Sequence, residues 1–277
     1  MFDVFKKFEN IYKFKLLRSF LPIKLRGQQH NLSIKVVDDL LPTLRSFLPI
    51  KLRRQQHNLS IKVVDDLLPT LKRLRVLSIS KYYNITKLPD SIGNLVHLRY
   101  LDLSSTNITS LPDTICKLYN LQTLILLGCM CLTELPLHMG NLISLRHLDI
   151  SGTNINELPQ EIGGLENLQS LPTFLVGKQR VGLSINELRK FPNQLGKLTI
   201  KNLHNVVDAI EAEDVNLKSK EQTEDLELLW GKQSEDSLKV KIVLDMLQPP
   251  INLKSLHIEL QEKIPILPSN HFDPLSV

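Results

Sequence analysis

The sequence predicts an α/β repeat protein, a curved solenoid in the form of a horseshoe, with a parallel β-sheet on its concave face and short helices or 3-10 turns on its convex face. Three observations carry this. Residues 98–112 read LRYLDLSSTNITSLP, residues 121–136 read LQTLILLGCMCLTELP, residues 145–159 read LRHLDISGTNINELP, and LQSL opens again at Leu168. The leading leucines Leu98, Leu121, Leu145 and Leu168 stand 23, 24 and 23 residues apart, a period at which single supersecondary units stack into a continuous core. Each full unit closes on Leu-Pro before the next begins.

The pattern LxxLxL, a turn and then LP is the leucine-rich-repeat signature, and each part has a mechanical reason. Leu98, Leu101 and Leu103 cannot all share the inward side of one alternating strand, so a short strand, Leu101 to Leu103, follows a bend after Leu98. Its leucines point into the coil, and Tyr100, Asp102 and Ser104 point outward, where any binding belongs. On the return path, Ile92, Ile115 and Ile162 pair with Leu95, Leu118 and Leu165, and Met139 pairs with Leu142. Each pair fits one turn of helix or 3-10 helix. Pro89, Pro112, Pro136 and Pro159 precede those turns and fix φ at their entry.

Composition sets bounds. In a repeat architecture each coil touches only its neighbours, so 277 residues form one elongated domain of about ten coils. Apolar content is 42% and aromatic content 5%, so leucine carries the core. The three cysteines, Cys116, Cys129 and Cys131, form no paired cap, which points to a reducing compartment. Cys129 falls in the turn after its strand and reads as structural, because no His partners stand at metal-ligand spacing. The first fifteen residues are interrupted by Lys6, Lys7, Glu9, Lys13 and Lys15, leaving no signal-peptide core. No apolar run has membrane-spanning length. The expected location is cytoplasmic.

Taken in order, residues 1–16 form an N-terminal lead-in, and 17–277 form the repeat domain. Residues 17–43 and 44–70 are a tandem duplicate of 27 residues, differing only at Gly27 and Arg54. That unit length lies within the repeat range, so the copy stacks as one more coil or loops out. Residues 74–171 are regular, and 172–277 carry irregular, longer repeats. Strand starts fall at Leu17, Leu44, Leu74, Leu98, Leu121, Leu145, Leu168, Leu195, Thr223 and Leu253. A loop is expected at Gly177 to Gly182, with helical spacing resuming at Ile185, Leu188 and Phe191. Val206 to Leu217 reads as a helix with Ala209, Ile210, Glu213 and Leu217 on one face. TEDLELLW, at 223–230, reads as a strand with Leu226 and Leu228 inward and Trp230 just beyond it. The apolar C-terminus, with no closing repeat, reads as truncated.

Charge runs along the chain: residues 1–87 carry net +12 and residues 208–236 net −7. The basic residues are interspersed with leucines and not stacked with aromatics, which fits a solvated or protein-facing surface and no nucleic-acid partner. Gly177-Lys178, Gly196-Lys197 and Gly231-Lys232 lack the remainder of a phosphate-binding loop. Asp102 and Asp149 occupy equivalent positions two coils apart with Ile125 between them, about 10 Å apart on an open face. Acids exposed in that way lack the desolvation that tunes catalysis, so neither an enzyme nor a cofactor is expected.

Three stretches resemble a known family: LRSFLPI with DLLPTLKRLRVLSIS; LPDSIGNLVHLRYLDLSSTNITSLPDTICKLYNLQTLILLGC; and LGKLTIKNLHNVVDAIEAEDVNLKSKEQTEDLELLW. They are similar to the leucine-rich-repeat region of plant coiled-coil-type nucleotide-binding disease resistance proteins, from about Phe14 to Leu260. The block from NVVDA to LELLW is the most specific part. The resemblance implies a defence role in which the repeats recognise a pathogen effector or a guarded host protein and restrain a nucleotide-binding module of a related receptor. No stretch resembles the family's coiled coil or its nucleotide-binding module. A general cytosolic scaffold of the Ras-regulating leucine-rich-repeat kind shares the TxIxxLPxxIGxL phrase, and a secreted repeat receptor is the third reading.

The candidate protein-binding surface is the outward row of the sheet: Arg99, Tyr100, Asp102, Ser104, Thr123, Ile125, Leu127, Arg146, His147, Asp149 and Ser151. Ile125 and Leu127 are apolar where neighbours are polar. They read either as anchors for a partner or as lateral packing on the sheet. Replacing both by Ser is expected to abolish binding and leave the fold intact.

Overall fold

The computed structural model describes residues 68–178, 182–191, 196–231, 237–250 and 252–260, together with three short N-terminal strands, β1 (Ser19–Phe20), β2 (Pro22–Ile23) and β3 (Ile50–Lys51). The lead-in, the strand starts Leu17, Leu44 and Leu195, and residues 261–277 lie outside the described residues. Eight further strands follow: β4 (Val76–Ser78), β5 (Tyr100–Asp102), β6 (Thr123–Ile125), β7 (His147–Asp149), β8 (Thr173–Leu175), β9 (Gly196–Lys201), β10 (Thr223–Trp230) and β11 (Ser255–Leu260). Among the described residues the strands pair in parallel. The chain is a leucine-rich-repeat solenoid.

One coil explains the others. Leu98, Leu101, Leu103, Ile108, Leu111, Ile115 and Leu118 are all buried, and so are their counterparts Leu121, Leu124, Leu126, Leu132, Leu135, Met139 and Leu142 one coil on. Each position therefore forms a column of apolar side chains through the stack, joined in one core that runs from Leu68 to the half-buried Leu253. The three-residue strands leave each coil too little main-chain bonding to stand alone; contact with the next coil supplies the burial.

The turn after each strand passes through the left-handed region at the same position in four successive coils: Lys81 (φ 65°), Ser105 (φ 55°), Gly128 (φ 70°) and Gly152 (φ 69°). Glycine takes that conformation without a Cβ penalty. A buried hydroxyl closes the turn in two coils, Thr106 donating to the Leu103 carbonyl at 2.8 Å and Thr153 to Ile150 at 2.7 Å, while the Cys129 thiol at the same position donates across to the Leu103 carbonyl of the preceding coil at 3.1 Å. Burial raises the Cys129 pKa, in keeping with a structural thiol. Across the convex side run five-residue 3-10 helices, Asp90–Asn94, Asp113–Lys117, Leu137–Asn141 and Gln160–Gly164, each entered from its proline at a φ between −55° and −73°.

The irregular half has a sheet of its own, and one expectation about it is corrected. The sheet is not continuous: β1, β4, β5, β6 and β7 form one sheet and β8 to β11 another, joined by a single bridge between His147 and Ser170. Ser170 N–H donates to the Arg146 carbonyl at 3.0 Å and Leu148 N–H to Ser170 at 3.1 Å. The next donor in the parallel ladder belongs to residue 172, a proline with no N–H. The strand restarts at Thr173, in register with Thr199 of β9.

Nor is Val206 to Leu217 one helix. It opens on extended backbone at Val206, makes a single α-turn at Ile210–Glu213, passes through left-handed Asn216 and ends in a 3-10 turn at Leu217–Ser219. Its buried residues are Val206, Ala212, Val215 and Leu217, while Ile210 is 62% exposed. The irregular path faces the core with a set that no single helical period selects. Trp230 also lies inside β10 and is its third inward side chain after Leu226 and Leu228.

Ser19–Phe20 pairs with Val76–Leu77, and Pro22–Ile23 with Ile50–Lys51. The strand after Leu17 thus neighbours the strand of the Leu74 coil, and β3 of the second copy does not stand between them in the sheet. The remainder of the duplicate lies outside the described residues. Near the expected loop, Gly177 N–H donates to the Leu183 carbonyl at 2.8 Å, and Ile185–Lys190 follows as a 3-10 helix with Ile185, Leu188 and Phe191 buried.

Candidate protein-binding face

The concave face is built by β4 to β7, whose outward side chains stand in register. Val76 lies opposite Tyr100, Tyr100 opposite Thr123, Asp102 opposite Ile125, and Ile125 opposite Asp149. The expected row is therefore present as a geometric row, but it does not present one uniform surface. Tyr100, Asp102, Ser104, Thr123 and Ile125 are buried, and Leu127, His147, Asp149 and Ser151 are half-buried. Arg99 and Arg146 are exposed.

The burial has two sources. Val76, Tyr100 and Ile125 form an apolar cluster of their own on the sheet, with Leu127 packed against it. Of the two readings of Ile125, lateral packing prevails: it is 7% exposed. Burial, then the neighbouring Asp102 charge, drives the Tyr100 phenol far above its ordinary range, so it serves as a neutral, apolar body here.

The second source is polar. Asp102 accepts hydrogen bonds from Ser78 Oγ at 3.0 Å, from Ser104 N–H at 2.9 Å and from Ser104 Oγ. Asp149 accepts from Ser151 N–H at 2.9 Å, and Ser151 Oγ lies 3.0 Å from Thr173 Oγ1. Burial raises the Asp149 pKa, opposed by the hydrogen bonds from Ser151. The expectation that these acids are exposed and undesolvated is thus overturned: β5 and β6 pack tightly enough to bury Asp102, and neighbouring serines compensate it. Each acid is committed to hydrogen-bond donors of its own or the adjoining coil. His147 is held below its ordinary pKa by burial and then by Arg146, so it is neutral at neutral pH. Among the described residues, no group of three or more His, Cys, Asp or Glu could hold a metal ion.

What the row offers to solvent is its rim. Arg99 N–H donates to the Arg75 carbonyl, Gln122 N–H to Arg99, and Arg146 N–H to Gln122, each at 2.8 Å, with Gln169 N–H donating to Arg146 at the same distance. These bonds stack Arg75, Arg99, Gln122, Arg146 and Gln169 at one position in five coils, a ladder with a step of about 4.8 Å. Arg75, Arg99 and Arg146 are exposed, and none is in a salt bridge among the described residues. Alternation along the strand does not select Arg75, Gln122 or Gln169. The signal was an exposed polar residue directly after the first leucine of each LxxLxL.

Comparison with known proteins follows the same lines. A family model described as leucine-rich repeat region matches residues 57–270. A disease resistance protein of Arabidopsis thaliana is 49% identical over 195 residues, 67% of this chain and 14% of the relative. A second Arabidopsis thaliana protein, named a disease resistance RPP13-like protein, is 44% identical over 234 residues, 83% of this chain and 19% of the relative. The chain thus spans less than a fifth of the length of the curated relatives it matches. Among solved structures, a leucine-rich-repeat protein of Leptospira interrogans covers 70% of this chain and 50% of its own length at 20% identity and a TM-score of 0.47.

Proposed function

Since the chain belongs to the leucine-rich-repeat family and is similar to the repeat region of plant disease resistance proteins, we propose that it is the protein-recognition and regulatory domain of an intracellular plant immune receptor. Its partners are a pathogen effector or a guarded host protein, and the nucleotide-binding module of a related receptor. The observation that carries this reading is the 44–49% identity to resistance proteins across most of the repeat stack. Among the described residues, no helix is long and apolar enough to cross a membrane, and the proposed site of action is the cytoplasm.

The concave rim supplies the contact chemistry. Arginine carries five donors in a planar fork suited to carboxylates, and three exposed forks in line, in no salt bridge among the described residues, favour a partner surface with a strip of Asp or Glu. The half-buried Leu127, packed on the Val76–Tyr100–Ile125 cluster toward the other end of the strands, adds a separate apolar contact. Repeat domains of this fold act by binding proteins across such faces.

The test is a pull-down from pathogen-challenged plant tissue with the 277-residue chain, run beside the variant Arg99→Glu/Arg146→Glu and beside a separately expressed nucleotide-binding module. The expected result is capture of an effector, a host protein or the module by the wild-type chain, weakened at least tenfold by the charge reversal. Equal capture by the variant would remove the concave rim from the reading. Absence of any specific partner in challenged tissue would remove the recognition role itself.

A further inference from the structure

A second surface lies on the side of the solenoid where the 3-10 helices return toward the strands. There the first leucine of each LxxLxL bonds back to an earlier leucine: Leu74 N–H to the Leu71 carbonyl at 2.9 Å, Leu98 to Leu95, Leu121 to Leu118 and Leu145 to Leu142 at 2.8 Å, and Leu168 to Leu165 at 3.0 Å. The residues after those acceptor leucines are therefore equivalent, and they are Lys72, Val96, Tyr119, Ile143 and Glu166. A lysine begins the row, three apolar side chains continue it, and a glutamate ends it.

This row is accessible. Lys72 and Glu166 are exposed, Tyr119 is 49% and Ile143 61% exposed, and Val96 is half-buried. Lys72, Val96 and Tyr119 line a groove of about 1010 Å³ across the coils, with the buried Gly93 and Cys116 also in its wall. The backbone under the row is fixed: the Asn120 amide donates to the Val96 carbonyl and the Asn167 amide to the Ile143 carbonyl, each at 2.8 Å. An exposed apolar stripe on a pre-set backbone costs little to organise on binding.

We infer that this row is a docking site for a short protein segment that carries an acidic side chain at one end, two or three apolar residues at its centre and a basic side chain at the other. Charge complementarity selects that occupant, because Lys72 and Glu166 bracket the apolar centre with opposite signs. Four coil steps separate the two charges by roughly 19 Å, which an extended segment spans in about six residues. The surface is distinct from the concave rim and does not depend on the rim's role in recognition.

The experiment pans a phage-displayed library of random heptapeptides on the immobilised 277-residue chain, with counter-selection on the variant Tyr119→Ser/Ile143→Ser. Enriched peptides are expected to share the order acidic, apolar, basic in either chain direction. The enriched peptide, synthesised and titrated by calorimetry, should bind at least tenfold more weakly to Tyr119→Ser/Ile143→Ser and to Lys72→Glu. The double exchange Lys72→Glu/Glu166→Lys should restore affinity for the peptide in the reversed direction, since it restores opposite charges at the two ends of the row. All four positions are solvent-accessible, and matching circular dichroism spectra show that each variant folds. Enrichment without that charge order, or failure of the double exchange to rescue, overturns the inference. So does self-association in sedimentation equilibrium that Tyr119→Ser/Ile143→Ser abolishes, which would make a second copy of the chain the occupant.

Discussion

The Lys220 ammonium lies 2.7 Å from the carbonyl oxygen of Phe191 and 3.1 Å from that of Leu188. Lys220 is 2% exposed, so a cation sits inside the stack and ties one coil to the end of the preceding 3-10 helix. Burial lowers its pKa from 10.5 to about 8. Between those values the unfolded chain binds more protons than the folded one, so stability rises with pH across that window and is flat below it.

The first prediction follows. Relative to Lys220→Met, the wild-type chain should gain stability by up to about 3 kcal/mol as pH rises from 8 to 10.5, read from urea midpoints at several pH values. Lys220→Ala, which leaves two carbonyls short of a donor and a cavity beside them, should destabilise by roughly 2–4 kcal/mol at pH 7. Parallel pH profiles for wild type and Lys220→Met would refute the buried charge.

The concave apolar cluster divides the two residues that the sequence treats as a pair. Ile125→Ser removes a buried member of the Val76–Tyr100–Ile125 group and should cost about 1–3 kcal/mol. Leu127→Ser, at a half-buried position, should cost less than about 1 kcal/mol and act mainly on partner affinity. Thermal unfolding of the two single variants separates these effects.

Four coils share a left-handed turn, and two of them place glycine there. Ser105→Gly and Lys81→Gly should each stabilise the chain by up to about 1 kcal/mol, because the left-handed conformation costs an L side chain about that much. Gly152→Ala should destabilise, since its Cβ would add that strain and stand 3.4 Å from the Gly128 backbone. Denaturant midpoints of the three variants provide the check.

At the other end of the stack, Gly231 N–H donates to His204 Nδ1 at 2.9 Å, a bond that requires the nitrogen to be unprotonated. Burial, then Lys178 and Lys239, holds the His204 pKa below 6.5. The unfolded chain therefore takes up a proton first as pH falls, and stability drops below about pH 6.5. His204→Asn should flatten that slope in urea titrations between pH 7 and 5. Gly231→Ala should cost about 1–3 kcal/mol at any pH, because the added Cβ collides with the imidazole ring.

The leucine columns were legible because each inward position recurs at a fixed interval, and Leu98 through Leu165 could be assigned from spacing alone. The proline-led convex turns were legible for the same reason. The irregular half resisted that reading: Val206, Ala212, Val215 and Leu217 are buried through an α-turn, a left-handed Asn216 and a 3-10 turn, a path without one period. On the concave face, alternation identified which side chains point outward. It could not show that register places Tyr100 between Val76 and Thr123, or that Ser78 and Ser104 enclose Asp102. Burial of an outward side chain depends on its neighbours in adjoining coils, and period-two alternation within one strand carries no such information. The arginine ladder was written plainly after Leu74, Leu98 and Leu145, but only cross-coil bonding shows that those positions align.

Pro172 has a mechanical consequence. On either side of it the strand ladders run on; across it the main chain is held only by the Gln169, Ser170 and Leu148 bonds around Arg146, and the Ser151–Thr173 contact and the packed interior share the grip. Tension drawn along the rod would therefore meet its thinnest main-chain lacing at this seam.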